Sequence, residues 1–234
     1  MKRIIKVLAL LMCMFITISC TACAPTKGVG LMASKILLNS EYNVEISTVN
    51  SLVSVIEFKE EAILLSATTN LKKPIKMILL KNNEDFKNVK EKINETIKEL
   101  FGNFSDEVYY KTDNRNKTVI FAIDKSVLNQ IEESEGDSDL AKIINNLSEA
   151  KYSIQATQFN GGSRVVATKY LLQGVRKNLV IEFFEEETDL QEAYETYLEL
   201  YSEDMEKGEI LLEKKKNLII KASSKYALED ALGK

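Results

Sequence analysis

IKMILLKNNEDFKNVKEKINETIKELFGNFSDEVYYKTDNRNKTVIFAI, residues 75–123, reads as one unit of secondary structure. It opens on an apolar run, 75–80, of strand length. The spacing then becomes helical. Phe86, Val89, Ile93, Ile97 and Leu100 recur every three or four residues and make one apolar stripe over 84–101. Asn83 stands where a helix cap is expected and Gly102 where a helix stops. Two further strand-like runs, 107–112 and 118–123, flank the polar turn 113–116 and predict a hairpin.

The same order returns about 104 residues later, as counted from Phe86 to Leu190. A strand at 179–184 leads into a helix at 189–206. Its stripe is Leu190, Ala193, Tyr194, Tyr197, Leu198, Tyr201 and Met205. Thr188 with Gln191 reads as a capping box, and Gly208 as the stop. Strands at 209–213 and 218–222 follow, around a turn at 214–217. Each hairpin then runs into a short helix, 126–133 or 224–232. Upstream, 52–58 and 62–69 predict a hairpin before the first unit. Residues 152–159 and 164–172 do so before the second, around Asn160-Gly161-Gly162.

The expected fold is therefore α+β: two similar β-β-β-α-β-β-α units. Each is an antiparallel sheet with an amphipathic helix on one face. The units either join into one pseudo-symmetric sheet or remain two lobes. The acidic stretch 132–139 (EESEGDSD) marks their boundary, which gives units of 31–135 and 136–234. A helix at 140–147 leads into the second unit, and 31–39 takes that part in the first.

The N-terminus reads as an export signal. Residues 1–6 are cationic, and 7–18 (VLALLMCMFITI) are apolar over signal-peptide length. Ile16-Thr17-Ile18-Ser19-Cys20 follows and resembles the lipobox of bacterial lipoproteins, in which a small residue precedes the cysteine that receives the lipid. Thr17 stands where that family has Leu. The resemblance covers about the first 23 residues. It implies a signal peptide at 1–19, lipid attachment at Cys20, a tether over 20–30 and a body held at the extracytoplasmic face of the cell membrane. Cys23, after Ala22, is a second position that fits lipidation. Secretory cleavage near Ala24 and an uncleaved anchor over 7–24 are the other two processings the residues allow.

Composition narrows the function. There is no histidine, which removes Ser-His-Asp and Cys-His catalysis and imidazole-based zinc sites within this chain. The three cysteines, Cys13, Cys20 and Cys23, all lie in or beside the leader, so the body has no disulfide framework. The formal charge is -4. Taking away Lys2, Arg3 and Lys6 with the leader leaves 28 basic against 35 acidic residues, or -7. That balance gives no overall attraction to nucleic acid.

Four clusters are candidate sites, each beside a plainer reading. Glu132, Glu133, Glu135, Asp137 and Asp139 offer carboxylates to Ca²⁺, but without EF-hand spacing; a solvated linker is the reading that accounts for them better. Glu185, Glu186 and Glu187, with Glu182, offer a carboxylate pair for glycoside hydrolysis, or acids that favour a helix start. Lys214, Lys215 and Lys216 offer a hairpin tip to an anionic surface, or an ordinary charged turn. Tyr194, Tyr197 and Tyr201 offer a ligand or partner surface, or the rim of the core. No catalytic residue, metal or cofactor is assigned. The expected role is non-catalytic: a membrane-anchored lipoprotein binding a small ligand or an envelope protein. A carboxylate-based envelope hydrolase and a structural subunit of an envelope complex are the alternatives.

Overall fold

Ten strands lie in one continuous antiparallel sheet, and the two halves of the chain contribute five each. The computed structural model describes residues 28–39, 42–52, 55–68, 73–157, 165–173, 177–184 and 186–234, with backbone alone at 157, 165–173 and 177–178. The leader and all three cysteines, Cys20 included, lie outside the described residues.

The first half runs α1 (Val29–Asn39), β1 (Asn43–Leu52), β2 (Ile56–Thr68), β3 (Ile75–Leu79), α2 (Asn83–Glu91), α3 (Ile93–Phe101), a 3-10 turn (Gly102–Glu107), β4 (Tyr109–Asp113), β5 (Thr118–Ala122) and α4 (Lys125–Glu133). The second runs α5 (Ser138–Glu149), β6 (Ile154–Thr157), β7 (Val165–Gln173), β8 (Lys177–Phe184), α6 (Glu187–Leu200), α7 (Ser202–Glu206), β9 (Leu211–Lys215), β10 (Leu218–Ala222) and α8 (Lys225–Leu232). The sheet order is β4-β5-β3-β2-β1-β6-β7-β8-β10-β9, so one half mirrors the other about the β1–β6 seam. The two copies of the unit therefore join into one sheet. Antiparallel pairing of equivalent strands, with Glu45 opposite Gln155, places a pseudo-twofold axis at that seam.

The repeat is close in register. Ile75 and Leu179 are 104 apart, Tyr109 and Leu211 are 102 apart, and Thr118 and Leu218 are 100 apart. Two residues are thus lost between helix and strand, and two more in the hairpin turn.

Helices cover both faces of the sheet, where the sequence reading places a helix on one face. The cause is in the strands. Ile75 and Met77 of β3 face one way, into a core with α1, α4, α5 and α8. Ile78 faces the other way, into a second cluster with Phe86 and Val89 of α2 and Ile97 and Phe101 of α3. A run apolar on both faces needs cover on both. In the second half the equivalent cluster is small: Phe184, Leu190 and Ile219.

Four helix starts carry side-chain caps. Asn82, Asp124, Asp137 and Ser224 accept the N–H of Asp85, Ser126, Leu140 and Ala227. Asn82, not Asn83, is the first of these. It is held by Asp85, which is fully buried and accepts from the Asn82 side chain at 2.6 Å and from the backbone N–H of Lys59 and Glu60. Thr188 does not cap: α6 already begins at Glu187, after Glu186, with no side-chain cap. The helices read as 84–101 and 189–206 are each broken, at Lys92 and at Tyr201.

Two other expectations are corrected. The first hairpin turns between β1 and β2, not at the charged residues 59–61. β2 continues through them as extended chain while its pairing with β1 shifts: Val49 lies opposite Ala62 and Ser51 opposite Glu57, and the N–H groups of Lys59 and Glu60 donate to Asp85 instead. The tether also ends earlier than residue 30. Val29 and Gly30 are buried in α1, whose Gly30 N–H donates to Asn145 Oδ1 at 2.8 Å.

Candidate functional site

The helices of the second face pack on β2, β3 and β5 at one end and on β8 and β10 at the other. Between them, around the β1–β6 seam, the sheet forms the floor of a concavity of about 380 Å³. Its lining includes Asn43, Glu45, Ser66, Thr68, Lys76 and Gln155.

Register explains why these residues meet. Lys76 lies opposite Ser66, Ser66 opposite Glu45, and Glu45 opposite Gln155. Directly opposed residues share a face, so the four make one polar row across β3, β2, β1 and β6. On each strand their neighbours point the other way: Ile75, Met77, Leu65, Ala67, Val44, Ile46, Ile154 and Ala156 are all buried in the main core. The row is anchored by strands that cannot turn over without exposing that core.

Repetition puts the pair Glu45 and Gln155 on the pseudo-twofold axis. It does not repeat the charge. The equivalent of Lys76, 104 residues on, is Val180.

Lys76 is half-buried. Burial lowers the pKa of its ammonium, and the Glu45 charge works against that shift. Its Nζ donates to Ser66 Oγ at 2.9 Å, which carries the cation over β2 towards Glu45 without reaching ion-pair distance. Glu45 is itself exposed on the open face. The floor thus holds a cation and an anion set apart, one strand between them.

The residues singled out in the sequence fall elsewhere. Tyr194, Tyr197 and Tyr201 line α6 above β8 and β10 and are not brought to the concavity. The Tyr197 hydroxyl donates to Glu182 Oε2 at 2.8 Å, and Lys221 Nζ donates to the Tyr201 hydroxyl at 3.1 Å. Lys221 and Lys214 also sit over the Tyr201 and Tyr194 rings.

Lys215 and Lys216 reach back to Asp139, and Lys214 donates to Gln191. Of the acidic stretch, Asp137 caps α5, Asp139 holds those two lysines, and Glu132 pairs with Lys111. Among the described residues no group of three or more His, Cys, Asp or Glu could hold a metal ion, and no helix is long and apolar enough to cross a membrane. Glu185 lies outside the described residues.

Lys76, Ser66, Glu45 and Gln155 are absent from the sequence reading. A signal did exist. Lys76 interrupts the apolar run 75–80, and Glu45 sits between Val44 and Ile46. A charge at the outward position of an alternating strand marks an open face, but only register shows that two such charges share one row. No protein-family model, curated protein or solved structure matches this chain.

Proposed function

We propose that this chain is an exported, membrane-anchored lipoprotein that binds a small polar ligand at the cell envelope without chemical turnover. The observation that carries the binding role is the concavity at the β1–β6 seam. Its floor is polar and charged, its frame is a ten-stranded sheet, and its size lies within the range of small-molecule clefts. The leader supports the address: a cationic start, an apolar run and Ser19-Cys20.

The missing histidine favours binding over catalysis. A carboxylate-based hydrolase needs two acids facing each other across a cleft. Among the described residues the concavity lining carries one, Glu45, with a lysine two strands away.

The address is tested by the intact mass of the protein taken from its own membrane, beside a Cys20→Ser variant. A chain beginning at residue 20 and carrying a diacylglycerol, absent from the variant, is the expected result. A chain that keeps Met1, or begins unlipidated near Pro25, would remove the lipoprotein reading.

A further inference from the structure

We infer that the concavity at the β1–β6 seam is a site for a small zwitterion of the α-amino-acid class, with Lys76 taking its carboxylate and Glu45 its ammonium. The inference rests on the ligand-binding reading above and adds the chemistry of the ligand.

The geometry sets the requirement. Lys76 and Glu45 stand on one row, with Ser66 between them. Neighbouring strands are about 4.8 Å apart, so the two backbones are about 10 Å apart. The Lys76 ammonium closes part of that gap by leaning to Ser66 Oγ. It remains outside ion-pair range of Glu45, and Glu45 makes no ion pair or hydrogen bond with another described residue. A molecule that carries an ammonium and a carboxylate on one carbon fits between the two and satisfies each. A lone anion would meet Lys76 but face the Glu45 carboxylate, and a lone cation would face the ammonium. Opposed like charges act against both single-charge ligands.

The rest of the lining suits the same ligand. Ser66 and Thr68 are hydroxyl donors, and Gln155 beside Glu45 offers an amide donor and acceptor.

The burial of Lys76 has its own consequence. Its folded-state pKa lies below its unfolded value, so holding the charge costs stability at neutral pH. That cost disappears as pH rises through the folded pKa towards the unfolded one. A half-buried lysine kept at such a cost, hydrogen-bonded to Ser66 and without an ion-pair partner among the described residues, is suited to meet a ligand.

The test is calorimetric titration of the full chain with free α-amino acids, with acetate and methylamine as the two single-charge probes. The expected result is binding of at least one amino acid, with both single-charge probes weaker by about tenfold or more. Lys76→Met and Glu45→Gln should each weaken that binding by about tenfold or more. Lys76→Met should meanwhile melt about 2–4 °C higher than the parent, which separates a lost site from a lost fold. Acetate binding as tightly as the amino acids, unchanged by Glu45→Gln, would overturn the zwitterion and leave a small-anion site. Silence from every probe would overturn the ligand-binding reading with it.

Discussion

Asp139 stands in the first turn of α5, where a negative charge is favoured by the helix dipole. Burial alone would raise its carboxyl. The hydrogen bond from Lys216 and the charges of Lys216 and Lys215 outweigh that and hold it below the usual carboxylate range. These contacts join the β9–β10 turn to α5 and so tie the edge of the sheet to the helix layer. A lowered folded-state pKa means that the unfolded chain takes up the proton first. The stabilisation is therefore complete above the unfolded value of about 4 and is lost as pH falls through the folded one. Asp139→Asn should cost about 1 kcal/mol at pH 7. As pH falls through the folded-state value, below the ordinary carboxylate range, the two proteins should become equal. Urea unfolding at pH 7 and below that value checks this; the same deficit at each would mean that the charge is not what matters. Asp85 acts locally through hydrogen bonds, as a buried acceptor for the N–H groups of Lys59 and Glu60 and for the Asn82 side chain.

Among the elements, α1 and α5 carry the symmetry of the helix layer, and small residues set their approach. A Cβ at Gly30 would stand 2.1 Å from the Ala141 carbonyl oxygen, a backbone atom that cannot step aside. A Cβ at Gly136, before α5, would stand 2.4 Å from Ser34 Oγ, a side-chain atom. Gly30→Ala should therefore force the helices apart and cost about 2–3 kcal/mol, read as a lower midpoint in urea with the slope unchanged. A neutral result would show that α1 shifts along α5 without loss. The lower helices differ more than their sequence patterns suggest. α2 and α3 bury Phe86, Val89, Ile97 and Phe101, whereas α6 buries Leu190 and leaves Leu200 65% exposed. The β1–β2 arm explains part of this. It adds Leu52, Ile56 and Phe58 to the cluster with α2 and α3.

The whole molecule should unfold as one unit, because both halves share one sheet and one core. Leu65 from β2, Ile154 from β6 and Leu179 from β8 belong to a single buried cluster. Leu65→Ala should remove about 3 kcal/mol and do so for both halves at once. Amide exchange is the suitable measurement, with protection expected to fall on β8 and β10 as well as on β2 and β3. A loss confined to the first half would mean that the seam is not cooperative. The same seam creates the polar floor, since the helices of that face sit towards the two ends of the sheet and, among the described residues, none covers its centre.

The sequence by itself determined the units. Periods of two and of three to four residues, read in 75–123 and again in 179–222, specified a strand, an amphipathic helix and a hairpin in each half, because local backbone geometry dictates those spacings. It also determined what chemistry is missing, since composition does not depend on folding. β1 was passed over because NVEISTVNSL carries few large apolar residues, and its role as a strand comes from pairing with β2 and β6. Only the tertiary structure decided that the two units join at β1–β6 and that helices cover both faces. It alone aligned Lys76, Ser66, Glu45 and Gln155, drawn from four strands as much as 110 residues apart (Glu45 to Gln155). Such a row is a matter of register between distant strands, and register is set by the burial of the opposite face, which no single strand's pattern contains.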